Sequence, residues 1–570
     1  MRATRRSFLG GCAAVTVAGP SVLAAESPVL KIGIVTDTHV RDDRASCRPM
    51  QAAWELFRRE RTDAVFNLGD IADRFSADGY LHYRACIDEV KSGGGWNPEE
   101  LYVWAFHDAY GYRGHLADGT PPRRHEAFAD AARLIGSPNG EWAERELKGH
   151  PFLVFPQFLE LSEYRGRYEG TIRRVCETHP GRPVFLLDHI PPVGTVQNSD
   201  IAGDWRRTEI LSKYPQVVDL TGHVHGSIRN DDLIWQGEYT VINFGCMTSW
   251  TGGLVGGDVP GGVSRGAGIL EVYPDQLVVR RFNDVVSAPD REEEPWTVPL
   301  PFDPARAPYS VAAKRRRPAP AFAPGSAVSF DAAAFVLEFP EAEAGGTTCL
   351  YRVAAQVRNA AGRWDDSFVR EVHSQFHVDR RSRRPNRMKV DAAYFPSGDR
   401  CRFSVVPVGF GGKAGEAISA EFALPPCLAE TACATCELSD PMRELDFRWA
   451  AWCEAKKPEA DGFVRMKYDD EISLGFPKAA FPGPEGTRYR VTADITVDTP
   501  EGAGFRFGFC LSKPRPRWFF RGKTLSGRNV RMRLVAMCEK ESDKYEILGW
   551  ASLCAGRLRI DRVKVERMVV

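Results

Sequence analysis

The chain has 570 residues, more than one hydrophobic core organises, so about two to four domains are expected. Apolar residues make up 43% and charged residues 26%, the proportions of an ordinary globular protein, which excludes wholesale disorder and collagen-like repetition. Lysine plus arginine equals aspartate plus glutamate at 75 each, and a neutral chain of this kind excludes bulk nucleic-acid binding through charge.

Residues 1–25 read as an export leader. Arg5-Arg6 precede Ser7-Phe8-Leu9, a weakly apolar stretch runs to Ala18, and the small residues Ala24-Ala25 suit cleavage. This resembles a twin-arginine signal, which implies the twin-arginine export machinery as a partner and a periplasmic or secreted mature protein. The stretch from Phe8 to Ala18 is too short to cross a bilayer and no other run approaches about 18 apolar residues, so no membrane span is expected. Of 14 cysteines nine lie beyond residue 300, which in an exported chain points to disulfides in the C-terminal half, with Cys349 and Cys401 one candidate pair. Cys433 and Cys436 have the spacing of half a zinc site, but without a second such pair a loop disulfide or two unrelated thiols is the better reading.

Between residues 26 and 298 strand-like and helix-like runs alternate. Five short apolar runs end in a carboxylate, an imidazole or both: GIVTDTH (Asp37, His39), VFNLGD (Asp70), VWAFHD (His107, Asp108), VFLLDH (His189) and DLTGHVH (His223, His225). Such runs read as strands buried on both faces, so their ends are expected along one rim of a sheet, where ligands collect. Between the first two, Met50, Ala53, Trp54 and Phe57 recur at helical spacing, giving β-α-β. GILEVY and QLVVRRF close the segment as a hairpin. In an extended tail residues two apart point the same way, so Asp37 with His39, and His223 with His225, can each offer two donors to one centre. Asp and neutral His suit divalent transition metals, and one carboxylate such as Asp70 can bridge two of them.

DTH, GDIAD, FHDA, HIPP and GHVH, in that order, resemble the calcineurin-like metallophosphoesterase family over roughly residues 29 to 285. The resemblance implies an α/β unit built as a metallophosphoesterase-type β-sandwich flanked by helices, holding one or two divalent metal ions (Mn, Fe or Zn). It implies that Asp37, His39 and His225 hold one metal, that Asp70 bridges, and that His189 and His223 hold the second. It further implies hydrolysis of a phosphate mono- or diester by hydroxide held between the metals, with His107 as general acid and Asp108 behind it fixing the ring. Asp73 stands where some relatives carry a metal-bound tyrosine, which argues against a purple acid phosphatase. One position departs: the family's asparagine before the acid histidine is Phe106, which offers no donor and would put a ring beside a charged site. The alternative is therefore a catalytically degenerate protein that binds a glycan or a surface.

Residues 299–326 are proline-rich, contain the basic run Lys314 to Arg317, and read as an extended, solvated linker. Residues 327–425 have the texture of a fibronectin type III-like β-sandwich. Residues 426–570 look like a jelly roll of the kind that serves as a carbohydrate-binding module, which makes a glycan or cell-envelope polymer a candidate partner beside the phosphate-ester substrate. There Tyr489, Val491, Ala493, Ile495 and Val497 fall on one face and Arg490, Thr492, Asp494 and Thr496 on the other. Trp449, Trp452, Trp518 and Trp550 could stack on sugars, although large aromatics mostly fill cores.

Overall fold

The computed structural model describes residues 27–567 apart from 113–123, 158, 160, 200–202, 249–264, 359–360, 365–367, 378–386, 393–394, 396–397, 426–435, 439–445, 450–457, 467–469, 476–479, 485, 499–505, 512–516, 519–527, 540–545 and 552–555. The leader, Cys433, Trp452 and the side chains of Trp449, Trp518 and Trp550 lie outside the described residues.

The N-terminal part is built on β1 (Leu30–Val35), β2 (Ala64–Asn67), β3 (Glu99–Tyr102), β4 (Ala143–Leu147), β5 (His150–Val154), β6 (Val184–Leu187), β7 (Val217–Thr221), β8 (Ile234–Gln236), β9 (Thr240–Asn243), β10 (Ala267–Val272), β11 (Gln276–Phe282) and β12 (Glu292–Pro299). These form two six-stranded sheets, β12-β11-β10-β1-β2-β3 and β4-β5-β6-β7-β9-β8. Strands β1, β2 and β3 run parallel, as do β5, β6, β7 and β9, while the flanking strands pair antiparallel.

Alternation decides what each face buries. Leu30, Ile32, Ile34 and Phe66 of one sheet pack with Phe152, Phe185, Leu187 and Leu220 of the other in one core. On the outer face of the first sheet Val35 and Val65 meet α1 (Arg48–Glu60), α2 (Ala77–Ser92) and, beyond the single turn α3 (Phe106–Ala109), α4 (Arg124–Ile135). Val184, Leu186 and Val217 of the second sheet meet α5 (Glu169–Thr178) and α6 (Trp205–Leu211). The result is a four-layer sandwich of helices, sheet, sheet and helices, a mixed α/β architecture. The expected α1 face is present, with Met50, Ala53, Trp54 and Phe57 buried, Pro49 in the first turn and Arg58 and Arg59 in the last.

Three expectations are corrected. The site-bearing strands do not share one rim: β1, β2 and β3 belong to one sheet, β6 and β7 to the other. Continuous apolar runs mark buried strands but leave their sheet undetermined, because that depends on long-range pairing. The basic run is not a solvated linker either. It forms α7 (Val311–Arg316), in which Lys314 is 2% exposed and its Nζ donates to Asp232 Oδ1 at 3.1 Å and the Ile234 carbonyl at 2.7 Å. Arg317 pairs with Asp231 at 2.6 Å, so two acids beside β8 give the cations buried partners. Cys349 and Cys401 are not bridged to each other: Cys401 lies opposite Val357, while the Cys349 N–H reaches the Val408 carbonyl at the other end of the same strand pair.

The chain beyond is β-rich. A three-stranded sheet of Ser329–Asp331, Val336–Pro340 and Arg387–Asp391 shares a core with a four-stranded sheet of Leu350–Val357, Phe368–His373, Gly398–Val408 and Ile418–Leu424. Two further five-stranded sheets follow. In Arg488–Asp498 the expected apolar face is buried, but Arg490 is buried too. Its guanidinium pairs with Glu566 at 2.9 Å and donates to the Phe395 carbonyl at 3.1 Å, tying this sheet to the preceding unit.

Gly33 in β1 shows how closely α1 rests on the strand, since a Cβ there would lie 2.4 Å from the Phe57 ring. Gly33→Ala should therefore destabilise the fold by about 1–3 kcal/mol through overpacking, read as a lowered midpoint in urea unfolding with an unchanged slope.

Candidate metal centre

Past its last hydrogen-bonded residue, each central strand turns sharply. The loops after β1 and β2 run side by side, with Asp37 N donating to the Gly69 carbonyl and His39 N to the Asp70 carbonyl, each at 3.0 Å. Asp37, His39, Asp70, His223 and His225 all have left-handed backbones, with φ of 51°, 41°, 51°, 70° and 47°. Non-glycine residues adopt this region rarely and at a cost, and its clustering here marks a site held by its surroundings. The extended tails expected from the sequence are thus replaced by kinked ones. The second sheet meets the first at Gly222, where a Cβ would lie 1.9 Å from Thr36 Oγ1 and 2.6 Å from Asp37 Oδ2, so only glycine fits between the layers.

The kinks bring six side chains from the two sheets to one place. Asp37 Oδ1 lies 2.9 Å from His225 Nε2 and 3.8 Å from the Nε2 atoms of both His39 and His189. His39 Nε2 and His225 Nε2 stand 3.1 Å apart, and His189 Nε2 lies 3.1 Å from Asp70 Oδ2. Three sets of donor atoms each fall within 4.8 Å of one another: Asp37, His39 and His225; Asp70, His189 and His223; and His39, Asp70 and His107. His223 and His225 therefore serve different sets rather than one centre, because the left-handed turn between them breaks the period of two. Asp70 stands between the sets.

This donor set fits a divalent cation. Asp37 Oδ1 and His189 Nε2 are buried without a hydrogen bond of acceptable geometry, although ring nitrogens and carboxylate oxygens crowd around them. The His189 ring is turned by Nδ1, which donates to the Leu68 carbonyl at 2.8 Å and so directs the Nε2 lone pair inward. Asp37 Oδ2 is fixed by the Thr36 hydroxyl at 2.7 Å and the His223 N–H at 3.0 Å, leaving Oδ1 for the centre. Neutral imidazole with carboxylate suits Mn, Fe or Zn.

His107 and Asp108 behave differently from what the sequence suggested. The His107 ring is oriented by the Asp73 carbonyl, 2.7 Å from Nδ1, and not by Asp108. The Asp108 carboxylate is spent on the backbone, accepting from the N–H groups of Ile71 (3.0 Å), Ala72 (3.3 Å) and Ala105 (3.0 Å) and from the Tyr80 hydroxyl (3.0 Å). It shapes the loops carrying Asp70 and His107 without touching the reacting side. Asp73 also places a carboxylate oxygen 3.7 Å from His39 Nδ1, beyond hydrogen-bond reach. The Phe106 ring is 41% exposed, and its N–H donates to Gln157 Oε1 at 2.6 Å. Gln157 follows β5, a sixth apolar run, which ends in a neutral amide and so carries no charged residue to mark it.

Burial opposes charge at His189, but Asp70 and Asp37 overcome it and lift the ring to about 9. Burial likewise opposes charge at His225, which Asp37 holds well above the ordinary imidazole value. Burial together with the charge of His189 pushes His223 down to about 3, and burial lowers His39. At Asp37 and Asp70 burial would raise the carboxyls, yet the imidazoles, His225 foremost for Asp37 and His189 for Asp70, hold both below the usual range. Burial and Asp70 push Asp108 up to about 7. Behind His189 lies a wholly buried set in which Arg207 pairs with Asp188, the Tyr168 hydroxyl donates to Asp188 at 3.1 Å, and burial lifts Asp219 well above the carboxylate range.

No protein-family model matches the chain, and no curated protein sequence matches it. A predicted phosphoesterase from Streptococcus pneumoniae aligns over 47% of this chain and 97% of its own, at 12% identity and a TM-score of 0.22. A 5′-nucleotidase precursor from Thermus thermophilus aligns over 49% of this chain and 55% of its own, at 11% identity and a TM-score of 0.25. The C-terminal carbohydrate-binding module of a marine laminarinase from Zobellia galactanivorans aligns over 23% of this chain and 98% of its own, at 12% identity and a TM-score of 0.15. Similarities of this size carry no functional weight beside the chemistry of the residues themselves.

Because His189 is held protonated up to about 9 against an ordinary 6.5, a cation must displace its proton to use Nε2. Metal affinity should therefore climb about tenfold per pH unit between roughly pH 6 and that value. Calorimetric titration with Mn or Zn in buffers of different ionisation enthalpy should count at least one proton released per ion bound, and a pH-independent affinity would contradict this.

Proposed function

We propose that the N-terminal α/β unit is a metal-dependent phosphoesterase acting on a phosphate mono- or diester, in a chain exported to the periplasm or beyond. The observation that carries this is the meeting of Asp37, His39, Asp70, His189, His223 and His225 from two sheets, with Asp70 between two donor sets. A divalent cation bound there supplies Lewis-acid polarisation of phosphoryl oxygens and lowers the pKa of a coordinated water. The residues do the rest. Asp37, His39 and His225 form one cradle, Asp70, His189 and His223 the other, and the Leu68 carbonyl holds the His189 ring in the ligating orientation. His107, pinned through Nδ1, presents Nε2 beside His39 and Asp70, where a proton on that atom can be handed to the departing alcohol oxygen. Export is supported by the Arg5-Arg6 leader, and glycan binding by residues 426–570 is supported by their paired antiparallel sheets.

Purified full-length protein should carry at least about one Mn, Fe or Zn ion per chain by elemental analysis. His39→Ala and Asp70→Ala should each lower turnover of an aryl phosphate by about a hundredfold or more and reduce bound metal in parallel. A wild-type protein that holds no metal at any pH would remove this reading.

One observation favours a second reading, a degenerate site whose chain now binds rather than cleaves: Phe106 supplies no donor, so the second cradle has three protein ligands. Phe106→Asn separates the two. On the active-enzyme reading kcat at saturating substrate and metal content change little, whereas a large gain in both would show a site that had decayed.

A further inference from the structure

The molecule has two exposed aromatic rings among its exposed large hydrophobic side chains in the described residues, Phe106 at 41% and Tyr110 at 50%. Both pack against His107, beside the candidate metal centre. They are four residues apart on the turn of α3, the spacing that puts side chains on one face, and their centroids are 5.4 Å apart with planes inclined at 31°. A continuous series of rings joins them to the cradle: His39 to His107 at 4.6 Å, then His107 to Phe106 at 5.6 Å and to Tyr110 at 6.2 Å.

The backbone beneath the pair is held firmly. Phe106 N–H is bound to Gln157, Tyr110 N donates to the Phe106 carbonyl at 3.0 Å, and the Tyr110 carbonyl accepts from Phe75 N at 2.9 Å. Phe75 is itself packed edge-on against Tyr112 at 4.5 Å and Tyr80 at 5.5 Å. Water-facing apolar surface that is rigid and adjoins a reactive centre costs little ordering when a ligand covers it, so it favours binding there. A flat π-ring gains dispersion and quadrupole contact on such a pair, while an alkyl chain gains only covered area.

From this we infer that Phe106 and Tyr110 form the subsite for the alcohol side of the substrate, and that this alcohol bears a planar ring, as in aryl or nucleoside phosphates. The inference rests on the phosphoesterase reading and adds a substrate class to it. On this view the position that loses a metal donor gains a stacking face, and His107 lies between the phosphate and the ring it releases.

Steady-state kinetics of the metal-loaded full chain on phenyl phosphate, a nucleoside 5′-monophosphate, butyl phosphate and glucose 6-phosphate test it. The two ring esters should show KM values about tenfold below the other two. Phe106→Leu and Tyr110→Leu should each raise KM for ring esters about tenfold more than they raise it for butyl phosphate, and Phe106→Tyr should retain wild-type KM. Equal losses on butyl phosphate would mean a plain apolar wall, and equal dependence for glucose 6-phosphate would mean a sugar subsite; either overturns the inference. A turnover-independent arm keeps its failure distinct from that of the phosphoesterase reading: calorimetric binding of phenylphosphonate against methylphosphonate. A roughly tenfold preference for the ring that vanishes in Phe106→Leu supports the inference, and equal affinities overturn it.

Discussion

Two imidazole nitrogens 3.1 Å apart above a buried carboxylate oxygen can coexist only if a proton or a cation lies among them, and the rest of the N-terminal half is arranged around that requirement. The two sheets bring their strand ends together at Gly222. The left-handed kinks swing the side chains inward, and carbonyls such as that of Leu68 occupy the outer ring nitrogen so that the inner one is available. Each device costs local stability or conformational freedom. The large shared core of Leu30, Ile34, Phe66, Phe152, Phe185 and Leu220 sustains them.

A second layer of ionisable groups lies outside the cradles. Asp108 spends its oxygens on backbone donors and the Asp73 carbonyl steers His107. Arg207 is buried with Asp188, the residue preceding His189, where removing either partner would strand a charge. The precision of the centre thus depends on residues that do not contact it, and several of them are acids of the same type as the ligands.

That likeness explains what could be read from the chain alone. The five runs ending at Asp37, Asp70, His107, His189 and His225 were legible because both their apolar period and their terminal chemistry are local. Which sheet each joins is set by pairings such as β1 with β10, more than two hundred residues apart, and leaves no local trace. His223 and His225 part company because their left-handed backbone overrides the two-residue period, and neither residue type announces such a turn. Gln157 ends a run of the same kind but carries no charge. The basic run at Lys314 reads as solvated until Asp231 and Asp232 are seen beside it. Asp108 looked catalytic because it neighbours His107, although its oxygens face the backbone.

The contacts between units have a mechanical consequence. Lys314, withdrawn from solvent, clamps the Asp232 turn, whose Oδ1 also accepts from Gly411 N at 2.8 Å, while Arg315 reaches the Gly411 carbonyl and Arg229 the Phe376 carbonyl. Farther on, Arg488 and Arg490 hook Asp391 and the Phe395 carbonyl. Of these fastenings Lys314 and Arg490 are buried, and contacts sheltered in this way are little weakened by salt, unlike the more exposed ones of Arg315 and Arg488. High salt should therefore loosen the outer contacts first and leave the two buried cations as the last ties between neighbouring units.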